Sequence, residues 1–280
     1  MTGIALALGS SISWGISDFL GGLQSRRYSA LSVLLVSQPV GAVLAFAVAI
    51  LVAREPLPAA EFGIAMAAGA SVLVGLGAFY HGMALGSISI VATVGALGVL
   101  VPVVGGLIQG ERPTAVQAVG AALAIIGVIL VSREPDPEWR QANRVAIGFA
   151  AIAALGFGFF LLLIDRAAET DPMWAVAAAR IGGVMLLAAA ALRLQPALSC
   201  GDRATVAALL AIGFFDILAN SLFAFASTEG ILPLVSVAGS LYAAVTILLA
   251  RVILGERLAP SQRGGVLLSL AGVGLIAAGI

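Results

Sequence analysis

The chain has 280 residues, of which 61% are hydrophobic and only 10% charged, and its mean hydropathy is +1.13. All 14 basic residues are arginine, balanced by 14 acids; this excludes an ordinary soluble domain and leaves no basic surface for nucleic acid. A single cysteine, Cys200, and a single histidine, His81, exclude a disulfide framework and give no reason to expect a metal or a cofactor.

Apolar runs long enough to cross a hydrocarbon core of roughly 30 Å recur along the whole sequence. They predict helices over 2–22, 30–52, 62–84, 87–109, 114–132, 145–165, 172–192, 204–227, 230–253 and 260–280. The expected fold is therefore an all-α, multi-pass integral membrane protein, with the cell membrane as its expected location. The first run has no basic n-region and is followed by further spans, so it reads as a helix and not as a cleaved signal. It carries Trp14, which either stacks on a substrate or fills a helix interface, and Asp18, a turn or two from the predicted helix end. Asp18 is either a cavity carboxylate or a side chain that snorkels to water.

The second run holds Gln38 and Pro39, and the third ends near Tyr80 and His81, where an interface histidine is expected in preference to a metal ligand. Pro102 lies inside the fourth run. A proline there removes a helix hydrogen bond, so this helix is expected to bend beside the substrate path. The stretch from Arg133 to Asn143, REPDPEWRQAN, is the most polar interruption and reads as a linker. In the second half, Arg180 lies about eight residues into the seventh run, Asp216 near the middle of the eighth, with Asn220 one turn later on the same face. Tyr242 raises the same question in the ninth run as Trp14 does in the first, while Pro233 falls at a helix start and needs no such account.

The two halves are copies. LIQGERPTAVQAVGAALAIIGVIL, from Leu107 to Leu130, returns as VILGERLAPSQRGGVLLSLAGVGL, from Val252 to Leu275, at a constant offset of 145 residues. In each copy a glycine ends one span, where a left-handed residue is commonly needed, and the polar Glu-Arg turn leads into the next. Gly120 with Ala124, and Gly265 with Ser269, then place small residues four apart, a spacing that lets helix backbones approach closely in lipid. This gives a first repeat over 1–132, a linker over 133–144 and a second repeat over 145–280. Five spans per repeat is an odd number, so the second repeat is expected to be inverted relative to the first, a recurrent plan of secondary transporters.

Gly110-Glu111-Arg112 with Gln117 and Gly120, and Gly255-Glu256-Arg257 with Gln262 and Gly265, resemble the EamA family of the drug/metabolite transporter superfamily. Ala84-Leu85-Gly86-Ser87 with Val91-Ala92 and Pro102, and Trp14-Gly15, look like that family's fourth-helix and first-helix patterns. The resemblance implies a carrier of small metabolites such as amino acids, nucleosides or drug-like amphiphiles, with export the expected direction and both termini cytoplasmic. It also implies an arginine in the second helix of each repeat, and here Arg180 stands in the second half while Gln38 occupies the first-half position. With the N-terminus inside, most arginines fall outside, against the positive-inside rule.

An ionisable group within an apolar span costs roughly 2.5 to 3.5 kcal/mol on insertion scales and invites a functional role. Asp216, Arg180, Asn220, Trp14, Asp18, Gln38, Tyr80 and Tyr242 are the candidate substrate-binding or coupling residues, with Asp216 the leading candidate for proton or ion coupling. The alternative for Asp216 is a salt bridge or an Asp–Asn hydrogen bond that locks two helices. Glu111-Arg112 and Glu256-Arg257 are expected to sit at the water interface, where exposed pairs contribute roughly 0 to 1 kcal/mol; a gating contact between halves is the other reading. Asp165-Arg166, Glu169, Asp171 and Glu229 are expected as solvated helix ends. A membrane enzyme would need a nucleophile–base or metal constellation, which these residues do not form, and a non-transporting subunit or sensor is the remaining alternative. The expected partners are a small-molecule substrate, a proton or ion, and membrane lipid; the sequence fixes no oligomeric state.

Overall fold

A computed structural model of the chain describes residues 2–52, 57–108, 114–131, 137–168, 170–196, 201–229 and 241–278. Helices α1 (Thr2–Ser25), α2 (Ala30–Val52) and α3 (Ala59–Leu85) lead to α4 (Ile88–Gly95), a 3-10 turn (Ala96–Val99) and α5 (Leu100–Ile108). They are followed by α6 (Ala115–Val131), α7 (Pro137–Ala167), α8 (Pro172–Leu194), α9 (Arg203–Glu229), α10 (Tyr242–Ile253) and α11 (Pro260–Ala278). With 88–108 counted as one interrupted span, the described residues form ten helical segments, and among the described residues five are long and apolar enough to cross a membrane by length and composition.

An interruption expected from a proline and a departure from the sequence expectation both have local causes. The fourth span is not one helix over 87–109: it breaks into a 3-10 turn just before Pro102. Pro102 has no N–H to donate to the carbonyl four residues back, and its ring crowds that carbonyl, which belongs to Gly98 inside the 3-10 turn. α7 begins at Pro137 and not at 145, so most of the polar stretch read as a linker is helical. Proline is tolerated at the first helical position, where an N–H would have no partner. The Glu111-Arg112 turn and Pro233 lie outside the described residues.

The main helix contacts occur twice, with the repeats exchanged. α3 packs on α7 as α9 packs on α1; α3 meets α8 as α9 meets α2; the broken fourth span meets α7 as α10 meets α1. Two contacts pair a helix with its own repeat equivalent, α2 with α8 and α6 with α11. In the second of these, a Cβ at Gly120 would strike the Gly272 carbonyl and one at Gly127 the Gly265 carbonyl, so the two helices run antiparallel with backbones in contact. Lipid tails are as apolar as leucine, so such close backbone approach, more than apolar burial, holds these helices together. The heaviest packing thus runs between the halves, which interleave instead of forming separate lobes.

Alternation of direction puts the ends of α1, α3, α6, α8 and α10 on one face of the bundle, together with Arg26, Arg27, Arg144, Arg193, Arg203, Arg251, Arg257 and Arg263. We call it the arginine face. Both chain termini lie toward the opposite face.

Candidate functional site

Between α1, α2, α8 and α9 the bundle encloses three ionisable side chains, Asp18, Arg180 and Asp216. Arg180 on α8 lies 2.6 Å from Asp216 Oδ2 on α9, both side chains being nearly buried at 10% and 14% exposure. That carboxylate oxygen has no other partner among the described residues. The same Nη1 donates to Gln38 Oε1 on α2 at 2.9 Å. The two repeat-equivalent residues therefore meet at the crossing of α2 and α8, and the first-half position supplies a neutral acceptor where an arginine would repel. Asn220 donates to the Asp216 backbone carbonyl at 2.7 Å and more distantly to its Oδ1 at 3.4 Å, so it braces one turn of α9.

Asp18 does not snorkel: it is 8% exposed and lies within electrostatic reach of Asp216. Among the described residues no arginine pairs with it. Tyr80 on α3 is 1% exposed, beside the Ser17 hydroxyl, and feels the charges of Asp18, Asp216 and Arg180. Tyr242 on α10 faces Asp18 and meets Trp14 edge-on at 6.2 Å, while Trp14 tilts against Phe223 at 5.6 Å. Side-chain contacts or electrostatic reach thus link all eight candidate residues. Serines that sequence reasoning passes over hold the scaffold: Ser10 donates to the Ala219 carbonyl at 2.8 Å and Ser17 to that of Ile212 at 3.0 Å, pinning α1 to α9. His81 stands apart, exposed and edge-on to Phe149 at 4.6 Å.

A second polar assembly lies on the arginine face. Gly255, at φ +67°, turns the chain after α10, and Glu256 then reaches across to the start of α4. Its Oε1 accepts from the Ile88 N–H at 3.0 Å and from Arg26 at 3.1 Å. Its Oε2 accepts from the Ser89 N–H, the Ser89 hydroxyl and the Ser87 hydroxyl at 3.1, 2.9 and 3.0 Å. A carboxylate suits a helix N-terminus because unpaired N–H groups and the helix dipole both favour negative charge. Glu256 is therefore not the solvated turn residue expected from the sequence; its side chain is 14% exposed and joins the two halves. Asp171 also departs from expectation, being 7% exposed and accepting from the Met173 and Trp174 N–H groups as the cap of α8. Arg26 is a participant that the sequence does not single out, since it lies at a span end where arginine is ordinary.

The comparisons agree with this architecture. One crystal structure superimposes with a TM-score of 0.64 over 95% of this chain and 95% of its own, at 14% identity, a likeness of fold alone. No curated protein matches. The profile of the EamA-like transporter family matches twice, over residues 1–133 and again over 144–278. An integral membrane protein of two such repeats, with an apolar helical bundle and no soluble domain between them, belongs to the EamA-like transporter family, of the drug/metabolite transporter type.

Proposed function

We propose that the protein is a proton-coupled secondary transporter of small metabolites, amino acids, nucleosides or drug-like amphiphiles among them, working by alternating access in the exporting direction. The observation that carries this reading is the buried cluster of two carboxylates and one guanidinium. With all three ionised, Asp18, Asp216 and Arg180 leave one negative charge in excess. Uncompensated charge is costly inside a membrane, so a proton or a cationic group is the natural occupant. Because both would answer the same carboxylates, they compete, and competition for one site is the elementary basis of exchange.

The antiparallel crossings of α6 with α11, and of α2 with α8 where Gln38 meets Arg180 and Phe46 meets Trp174, support an inverted relation of the repeats, the plan in which substrate sites lie near the midplane. The interleaving also suggests which bodies move. α1, α9 and α10 form one packed group and α3, the broken fourth span, α7 and α8 another, so each body contains helices from both repeats. The Arg180–Asp216 pair and the Glu256 contact both bridge these bodies. In this reading Glu256 and Arg26 latch the arginine face shut.

The test is flux into proteoliposomes with amino acids, nucleosides and cationic drugs, with and without an imposed pH gradient. The reading expects saturable flux in at least one class, driven by the gradient, with the effect of the gradient lost in Asp18→Asn. Folded protein that moves none of these classes under any gradient would instead support the non-transporting subunit or sensor.

A further inference from the structure

A groove of about 770 Å³ opens on the arginine face between α10, α11 and the start of α4. Its polar end is formed by Arg251, Arg257 and Arg263, all exposed, and its floor includes Leu248, Leu267 and Leu270. The one acid lining it, Glu256, has its carboxylate committed to Arg26 and the α4 N-terminus, so it does not neutralise the arginines. Arg263 is oriented by its Nε donating to the Leu258 carbonyl at 2.9 Å. The floor is not sealed by protein: Leu248 is 59% and Leu267 70% exposed.

The duplication supplies an internal control. At the repeat offset of 145, Arg257 corresponds to Arg112, but Arg251 corresponds to Gly106 and Arg263 to Ala118. Shared ancestry therefore accounts for one arginine of the cluster and not for the other two. We propose that this groove is a binding site for an anionic phospholipid, its phosphate held by the three arginines and its acyl chain lying along the leucine floor. Guanidinium groups match phosphate oxygens in geometry and charge, and basic pockets between membrane helices are suited to acidic headgroups. A free phosphate would use the arginines alone and leave the open apolar floor without a function.

The probe is phosphatidylglycerol titrated against full-length protein in phosphatidylcholine nanodiscs or by native mass spectrometry, with inorganic phosphate as a separate arm. Phosphatidylglycerol should bind about tenfold or more tighter than phosphatidylcholine of the same chains, and the doubly substituted Arg251→Gln, Arg263→Gln protein should lose that preference. The pair Arg193→Gln, Arg203→Gln removes the same charge from the same face outside the groove and should retain it. The proposal is overturned if the first variant keeps the preference, if the second loses as much, or if inorganic phosphate alone binds as well as the lipid does.

Discussion

Arg180 and Asp216 illustrate why a charged pair inside an apolar bundle is conditional: each is tolerable because the other is present. Removing one partner of a buried pair costs about 3 to 5 kcal/mol by stranding the second charge. Asp216→Asn should therefore lower the thermal unfolding temperature sharply, and Asp216→Asn combined with Arg180→Gln should recover part of the loss. Asp18 has no such partner among the described residues, so Asp18→Asn should leave stability unchanged or raise it while removing the pH dependence of flux. A drop in melting temperature equal to that of Asp216→Asn would assign Asp18 to a structural bond. Asp216, Arg180 and Gln38 are legible in the sequence because polar groups within apolar runs stand out. Arg26 is not: its value comes from Glu256, 230 residues away, and nothing local announces that meeting.

At the scale of elements, the ends of helices do more than terminate them. Glu256 satisfies N–H groups of α4 that the helix cannot satisfy itself, and hydrogen bonds to a charged group are worth about 1.5 to 3 kcal/mol. Glu256→Gln should lower stability by about 2 kcal/mol and raise amide exchange at Ile88 and Ser89 while leaving α6 and α11 protected. Equal exchange in variant and wild type would remove the latch from the account. The start of α9 offers a pH-dependent counterpart outside the membrane-spanning core. Asp202 accepts from the Thr205 N–H at 2.9 Å, and that bond holds its carboxyl below the ordinary value of 3.8. A group whose folded value is depressed contributes stability above its unfolded value and loses it as pH falls through the folded one. The α9 cap should thus be intact at neutral pH, weaken only as pH falls below 3.8 and open once pH passes the carboxyl's own lower value, seen as faster exchange at Thr205, with Asp202→Asn insensitive to the same change. The interruption of the fourth span was legible from Pro102, whereas the early start of α7 was not, because a proline within a charged stretch marks a loop as readily as the first turn of a helix.

For the whole molecule, the clustering of arginines on one face gives a direction. Cytoplasmic ends of spans carry the excess of basic residues, so the arginine face is expected in the cytoplasm and both termini on the other side. This is opposite to what the family resemblance implies. A C-terminal alkaline phosphatase fusion should be active and a C-terminal green fluorescent protein fusion dark; the reverse pattern would overturn the assignment. The duplication was plain from the offset of Gly-Glu-Arg, but the interleaving of the copies was not, since periodicity tells which residues face a neighbour without telling which neighbour. The α6–α11 crossing has a further consequence for descent. Gly120 meets Gly272 and Gly127 meets Gly265, each against the equivalent of the other, so the surface is complementary to itself. A single ancestral half, made before the gene was copied, would already have fitted a twin lying the opposite way up in the bilayer, and joining the two would have fixed that orientation in one polypeptide. Gly106 and Ala118 stand in the first copy where Arg251 and Arg263 stand in the second, so at these positions the copies diverged once each half was free to face only one side of the cell boundary.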